Sequence, residues 1–369
     1  MCRNGPSSTN SPSSNSSTVC PEAGVTPNRP PVTPDSEPGG GAGPVEARPA
    51  LERDLIRLTR SIWEDKAIGA IYTRYAHNTP VHLPDAELYG REQLAERTLQ
   101  ALAPVPDARL HGDEMISQAT ADGMLSSHRV TVSGHHLGHG PYGPPTGHAV
   151  QWRGITQRLM QGGRVVEEWS VHDELAVVRQ LGLDEWALAR SLAQRAAEAG
   201  TGGPVHPVGE VVRGAGQAPP PLPVDATAPL PGDLPGHIAA VVWNARMLNL
   251  TGQYYAPDAT IRVPGYARLH GPAQLTRYVL EWLAAFPDGA MHVEQVTGTG
   301  DDAQGFKVAA RWTFVGTHTG AGVYGHPTGQ RVRISGISHY DVTAGRIRRE
   351  DMVWNGFALL KQLCRPSSH

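Results

Sequence analysis

The sequence predicts an α+β chain built from two copies of one domain, each with helices lying on one face of an antiparallel sheet. Three observations carry this. The stretch "GHHLGHGPYGPPTG" at Gly134–Gly147 returns as "GTHTGAGVYGHPTG" at Gly316–Gly329, identical at nine of fourteen positions at an offset of 182. The likeness extends outward until it spans a whole domain, the signature of an internal repeat. Within each copy the helical patterns come first and the alternating, strand-like patterns later, an order that segregates helices to one face of a meander.

Taken along the chain, residues 1–48 are Ser, Asn, Pro and Gly with few large apolar side chains. Such a segment buries too little surface to offset its ordering entropy and is expected to be disordered. The first domain is placed at 49–199. Leu55, Leu58, Ile62 and Ala70 recur at helical spacing, and Leu94, Leu99 and Leu102 mark a further helix. "MLSSHRVTVSGHH" and "HAVQWRGITQRLM" alternate as half-buried strands, and the glycines of "MQGGRVVEEW" predict a tight hairpin turn before the last strand. Residues 200–233 are again Pro- and Gly-rich and read as a semi-rigid linker.

The second domain, 234–366, repeats these signals. Trp63 aligns with Trp243, Tyr75 with Tyr255, Asp107 with Asp288, His111 with His292 and Arg129 with Arg311. "FKVAARWTFVGTH" and "RVRISGISHYDV" are its alternating strands, and "TAGRIRREDM" its turn. A sheet curled around a helix leaves a cone with one open mouth, a natural small-molecule pocket.

Composition narrows the partners. A net charge of −3 without a basic run gives no general attraction to nucleic acid or to an anionic membrane. No apolar run approaches the length of a membrane span, and no secretory pattern opens the chain. The three cysteines, Cys2, Cys20 and Cys364, form no CxxC and lie near the ends, so neither a disulfide framework nor a zinc ribbon is indicated. A cytoplasmic setting is the expectation.

Each copy resembles the SnoaL-like branch of the NTF2-like superfamily. The resemblance rests on "GHHLGHGPYGPPTG" with "GRVVEEWSVHDELAVVRQLG", and on "GTHTGAGVYGHPTG" with "GRIRREDMVWNGFALLKQL". It implies a curved six-stranded sheet around three helices, a deep pocket and pairing through the sheets. Here that pairing would be an intramolecular pseudo-dimer, with further oligomerisation left open. The resemblance also implies chemistry without metal or organic cofactor, through a pocket carboxylate acting as general acid or base. Family members include polyketide cyclases performing aldol ring closure, ketosteroid isomerase-like proteins and epoxide hydrolases. The catalytic aspartate of the aldol cyclases falls on Ser170 and Met352, and their companion histidine on Thr156 and Ser338, so neither copy keeps that pair.

The candidate catalytic residues are therefore sought nearby. Asp173 ends the last strand of the first domain, at the expected pocket mouth. A carboxylate in an apolar cavity has a raised pKa and exchanges protons near neutrality; equally, Asp is a favoured N-cap for the "ELAVVRQL" turn that follows. The second copy has Asn355 here, which takes up no proton, so the chemistry is expected in the first domain. His136 and Arg129 are candidates to polarise a substrate oxygen, with His172 beside Asp173; structural roles are the alternative for the Arg–His pair. His318 and Arg311 are the counterparts of His136 and Arg129. His135, His136 and His139 do not make a zinc site, because adjacent strand residues point to opposite faces. Trp63, Tyr75, His111, Tyr142 and Trp169 are expected to line the first pocket, and Trp243, His292, Arg311, His318, Tyr324, Asp351 and Asn355 the second. The indoles serve core packing or a flat apolar ligand. Together these features predict a cofactor-independent enzyme acting on a small apolar oxygenated metabolite of polyketide, terpenoid or steroid-like type, by cyclisation, isomerisation or hydrolysis. A non-catalytic small-molecule-binding protein is the other reading.

Overall fold

The computed structural model describes residues 44–200 and 230–366; the expected tail and linker fall largely outside the described residues. In the first domain, α1 (Pro44–Trp63) begins ahead of the boundary drawn from composition. It buries Leu55, Leu58 and Ile62. There follow α2 (Ala70–Arg74), β1 (Pro80–His82), β2 (Glu87–Tyr89) and α3 (Arg91–Leu102). Leu94 and Leu102 of α3 are buried, whereas Leu99 is exposed. Four long strands then form the meander: β3 (Arg109–Thr120), β4 (Gly123–His135), β5 (Ala149–Gln161) and β6 (Arg164–His172). Helices α4 (Glu174–Gln180) and α5 (Glu185–Glu198) close the domain; α5 had no place in the sequence reading.

The second domain repeats the plan with α6 (Leu234–Ile238), α7 (Thr251–Tyr254), β7 (Tyr255–Arg262), β8 (Arg268–His270), α8 (Gly271–Ala285), β9 (Ala290–Asp301), β10 (Gly305–Thr317), β11 (Arg331–Thr343), β12 (Arg346–Trp354) and α9 (Gly356–Leu363). Beyond α6 the helix widens into π-type turns over Ala239–Asn244. Each sheet has six strands, in the orders β2-β1-β6-β5-β4-β3 and β8-β7-β12-β11-β10-β9. One pairing in each differs from the antiparallel expectation: β1 runs parallel to β6 and β7 parallel to β12. A helix between β2 and the meander makes this crossover possible, so the sheets are mixed.

The turns follow from their residues. Gly162 and Gly163 both have positive φ, as do Ala344 and Gly345, the geometry of a two-residue hairpin whose twist matches its strands. The repeated loop is glued to the end of α3 by Leu137 and Gly138, whose N–H groups both donate to Pro104 O. A Cβ on Gly138 would lie 1.9 Å from Ala103 O, so only glycine admits this approach. Inside the loop His136 Nδ1 meets Thr146 Oγ1 at 3.2 Å, and His318 meets Thr328 at the same distance in the second copy. The loop is architecture in both domains.

The two sheets pack against each other around a pseudo-twofold. At its centre Ile155 and Val171 meet Ile337 and Val353, their own counterparts 182 residues on. The outward faces of β4–β6 and β10–β12 make this interface, leaving the inward faces to the two cones. Helices α4 and α5 join α9 in a second apolar cluster that crosses between the domains. Among the described residues, no helix is long and apolar enough to cross a membrane.

Candidate functional site

Period-two alternation decides which side chains enter the first cone. On β4, β5 and β6 the even-numbered residues point inward, and strand register aligns them in rows. Ser126 pairs with Arg158 and Arg158 with Glu168; His128 pairs with Thr156 and Thr156 with Ser170; Val130 pairs with Gly154 and Gly154 with His172. Helix α1 covers these rows with Thr59, Ile62 and Trp63. What remains between is a chamber of about 120 Å³. It opens past Trp63, Arg97, Ala101, Trp152 and His172 into a vestibule of about 470 Å³, which also touches Tyr142 and Asn355.

The chamber's polar wall is a connected network. Tyr75 Oη donates to Glu168 Oε2 at 2.6 Å, and Arg158 Nε donates to the same oxygen at 2.7 Å. Arg158 Nη1 reaches Thr59 Oγ1 at 3.3 Å. Burial opposes the charge on Arg158, but Glu168 beside it more than restores it. Thr156 and Ser170 share a hydrogen bond of 2.9 Å between their hydroxyls. His128 is buried with Nε2 unpartnered. Burial, with Arg158 and His339 adding to it, pushes its pKa down to about 3, so the ring is neutral at physiological pH. Burial likewise lowers the pKa of His172, where chamber meets vestibule.

Several residues expected at the site stand elsewhere. Asp173 is fully buried as the N-cap of α4: Oδ1 accepts from Ala176 N at 3.2 Å and Oδ2 from Gly265 N of the second domain at 2.6 Å. Its odd number turns it toward the interface, so it lines neither chamber nor vestibule, and the capping alternative is what the geometry supports. Burial raises its pKa, but both oxygens are already committed. Arg129, also odd, reaches Asp113 and Asp351, each at 3.5 Å, in the interface. His136 is held in its loop, edge-on to Tyr142. His111 lies outside the chamber on β3, its Nε2 3.4 Å from Ser133 Oγ. Trp169 stacks on His82 and carries Arg311 over its face at the interface. Of the first-domain set, Trp63, Tyr75, Tyr142 and His172 do line the cavities.

The second cone is filled rather than open. At the positions of Val130, Val132, Ala101 and His172 stand Trp312, Phe314, Trp282 and Trp354, all buried. Trp282 meets Phe314 and Trp354 edge-to-face at 4.9 Å each, with Trp243 at 5.7 Å. A Cβ on Gly336 would fall 2.2 Å from the Trp312 ring, so glycine there is what lets the indole lie across the strand. Trp243 is therefore core. His318 and Tyr324 pack beside Phe286, while His292 and Asp351 face away from that core. Asn355 caps α9 through Ala358 N and also donates to Glu174 Oε2 at the first vestibule.

Sequence reading missed His128, Arg158 and Glu168. The signal was present: all three share the parity of His172 on aligned strands.

A pair of mixed-sheet cones, one open and polar and one packed solid, defines this as a two-domain α+β protein of the NTF2-like fold. The profile of the SnoaL-like polyketide cyclase family matches residues 53–181 and 237–363, and the chain belongs to that family. Similar solved structures each span one domain. One from Acidithiobacillus ferrooxidans, for which polyketide cyclase activity is proposed, is 24% identical over 36% of this chain and 93% of its own, with a TM-score of 0.31. IdmH from Streptomyces antibioticus, with the same activity proposed, is 21% identical over 36% and 98%, TM-score 0.31. TsrD from Streptomyces laurentii is 20% identical over 36% and 96%, TM-score 0.32. No curated protein is similar enough to the chain to count as a match.

Proposed function

We propose that the first domain is a cofactor-independent enzyme acting by general acid/base chemistry on a small, apolar, oxygenated metabolite of polyketide, terpenoid or steroid-like type. The second domain serves as its packed scaffold, and the intramolecular pair is the working unit. The observation that carries this reading is the contrast between the cones: the space bounded by Ala101, Val130, Val132 and His172 beside the polar wall of the first cone is taken in the other copy by Trp282, Trp312, Phe314 and Trp354.

In this reading His172 takes the proton. It is the imidazole at the junction where an entering ligand would pass, and burial favours its neutral form, which can accept a proton where the neighbouring Arg97 cannot. The substrate oxygen points inward, toward the unpartnered His128 Nε2 and the Thr156–Ser170 hydroxyls, whose dipoles stabilise an enolate as charge develops. Glu168, ion-paired with Arg158 and hydrogen-bonded by Tyr75, orients rather than abstracts. Asp173, the acceptor expected from sequence, has both oxygens committed to backbone N–H groups, so His172 takes that role in this reading.

The test begins with native mass spectrometry of the purified chain. A ligand of the stated class is expected to co-purify, and to be absent from Ala101→Trp, which copies the filled cone. With that ligand or its precursor as substrate, His172→Gln should lower kcat by roughly 10²-fold while leaving binding within a few-fold. Binding without chemistry is the second reading, favoured by the ion-paired Glu168. It wins if wild type returns the ligand unchanged and His172→Gln behaves identically.

A further inference from the structure

The pseudo-twofold interface contains two equivalent positions that have diverged. On one side Asp351 is surrounded by arginines, with Arg129 at 3.5 Å, Arg153 at 3.6 Å, Arg262 at 3.2 Å and Arg349 at 2.7 Å. Arg153 fills the space beside them, donating to Val263 O and lying over Tyr266. On the other side the counterparts 182 residues away are Trp169 for Asp351, Arg311 for Arg129 and Ser335 for Arg153. His82 pairs with Trp169 across parallel strands as Arg262 pairs with Asp351.

The consequence of a serine where the closed side has an arginine is a gap. A cleft of about 380 Å³ opens beside Ser335, with Leu83, Pro84, Val171 and Ile337 as apolar walls, Arg311 and Arg333 on either side of Glu294, and Glu87 also on the lining. Arg311 keeps its in-domain partner, Nε donating to Glu294 at 3.0 Å, and its guanidinium lies 3.8 Å from the Trp169 ring centre. Its Nη1 is buried without a partner. Arg129, at the equivalent position, spends its Nη1 on two carboxylates, one of them Asp351. The open side has lost that carboxylate and kept the donor that used it.

We propose that this interdomain cleft is a second binding site, taking a small carboxylate with a flat apolar body. The carboxylate lies in the gap beside Ser335, where the closed side has the Arg153 side chain, accepting from Arg311 Nη1, and the body rests on Leu83, Pro84, Val171 and Ile337. The volume falls within the range of sites that bury small organic ligands, and a buried guanidinium with a free N–H favours an anionic oxygen over a neutral one. The cleft lies on the interface side of β6 and borders the first-domain chamber at Leu83 and Ser170, but nothing in the acid/base reading is needed for it.

Calorimetric titration of the full chain with benzoate tests this, with benzyl alcohol as the neutral and benzamidine as the cationic comparison. Benzoate should bind, and benzyl alcohol at least about tenfold more weakly, the usual scale for losing a charge-assisted hydrogen bond. Arg311→Gln should weaken benzoate by a similar factor. Ser335→Arg, which restores the filling side chain of the closed side at a half-buried strand position, should abolish binding with the melting temperature retained. Ala101→Trp, which blocks the first-domain chamber, should leave benzoate affinity unchanged. Absence of benzoate binding, preference for benzamidine, or loss of binding in Ala101→Trp with retention in Ser335→Arg would each overturn the proposal.

Discussion

At the scale of single residues, two glutamates at one sequence position have opposite surroundings. Glu168 shares its Oε2 between Tyr75 and the Arg158 guanidinium. Glu350 keeps the tyrosine, with Tyr255 Oη donating at 2.7 Å, but Tyr340 stands where the arginine was. Burial without a cation pushes the Glu350 pKa from 4.5 to about 7. The folded chain therefore holds a proton that the unfolded chain gives up between pH 4.5 and 7, so this carboxyl costs stability as pH rises through that window, and the cost persists above it. Glu350→Gln keeps an acceptor for Tyr255 and removes the ionisation. It should stabilise the protein by roughly 2–3 kcal/mol at pH 8 and much less at pH 5, measured by urea unfolding at both values. An equal effect at both would mean that the carboxyl is not held protonated.

At the scale of elements, the junction of β6 and α4 shows what the pleat decides. The sequence places Asp173 at a strand end, open to a role as acid or as N-cap, and the cap is what the structure forms. The direction of Asp173 depends on the pleat: Glu168, Ser170 and His172 face the chamber, so the next residue turns toward the second domain. There it satisfies Ala176 N and Gly265 N at once. Asp173→Ala should cost roughly 2–4 kcal/mol, the sum of a lost cap and a buried N–H left without its acceptor. Ligand retention in the chamber should not change. A loss of ligand binding with full stability would return Asp173 to the site. The hairpin glycines and the repeated loop were legible from sequence because local geometry alone dictates them. The chamber residues were not, since His128, Arg158 and Glu168 lie up to 40 positions apart and meet only through register.

At the scale of the whole molecule, the two copies differ in how their cones are filled, and their interface has two unlike halves. The closed half concentrates four arginines on Asp351, whose pKa burial would raise but which Arg129, Arg349 and Arg262 hold low. Removing this carboxylate leaves the buried Arg129 and Arg153 beside the partly exposed Arg262 and Arg349 without the anion they share. Asp351→Asn should destabilise the chain by roughly 3–5 kcal/mol, the usual cost of breaking a buried ion pair from one side. The measurement is urea unfolding of the full chain. A change below about 1 kcal/mol would mean that solvent reaches these arginines freely.

The sequence by itself determined the duplication, the α+β order of elements, the turns and the family. Each of these is carried by residues close together in the chain, or by a pattern repeated at a fixed offset. It also pointed to an asymmetry between the domains, through Asp173 against Asn355. Only the tertiary structure decided which cone is open, because a cavity is the difference between side chains arriving from separate strands and helices. Ala101, Val130 and His172 leave a space that Trp282, Trp312 and Trp354 occupy in the other copy. Only the structure set Arg129 against Asp351 and Arg311 against Trp169, since those pairs form across an interface between two domains whose contact no local pattern encodes.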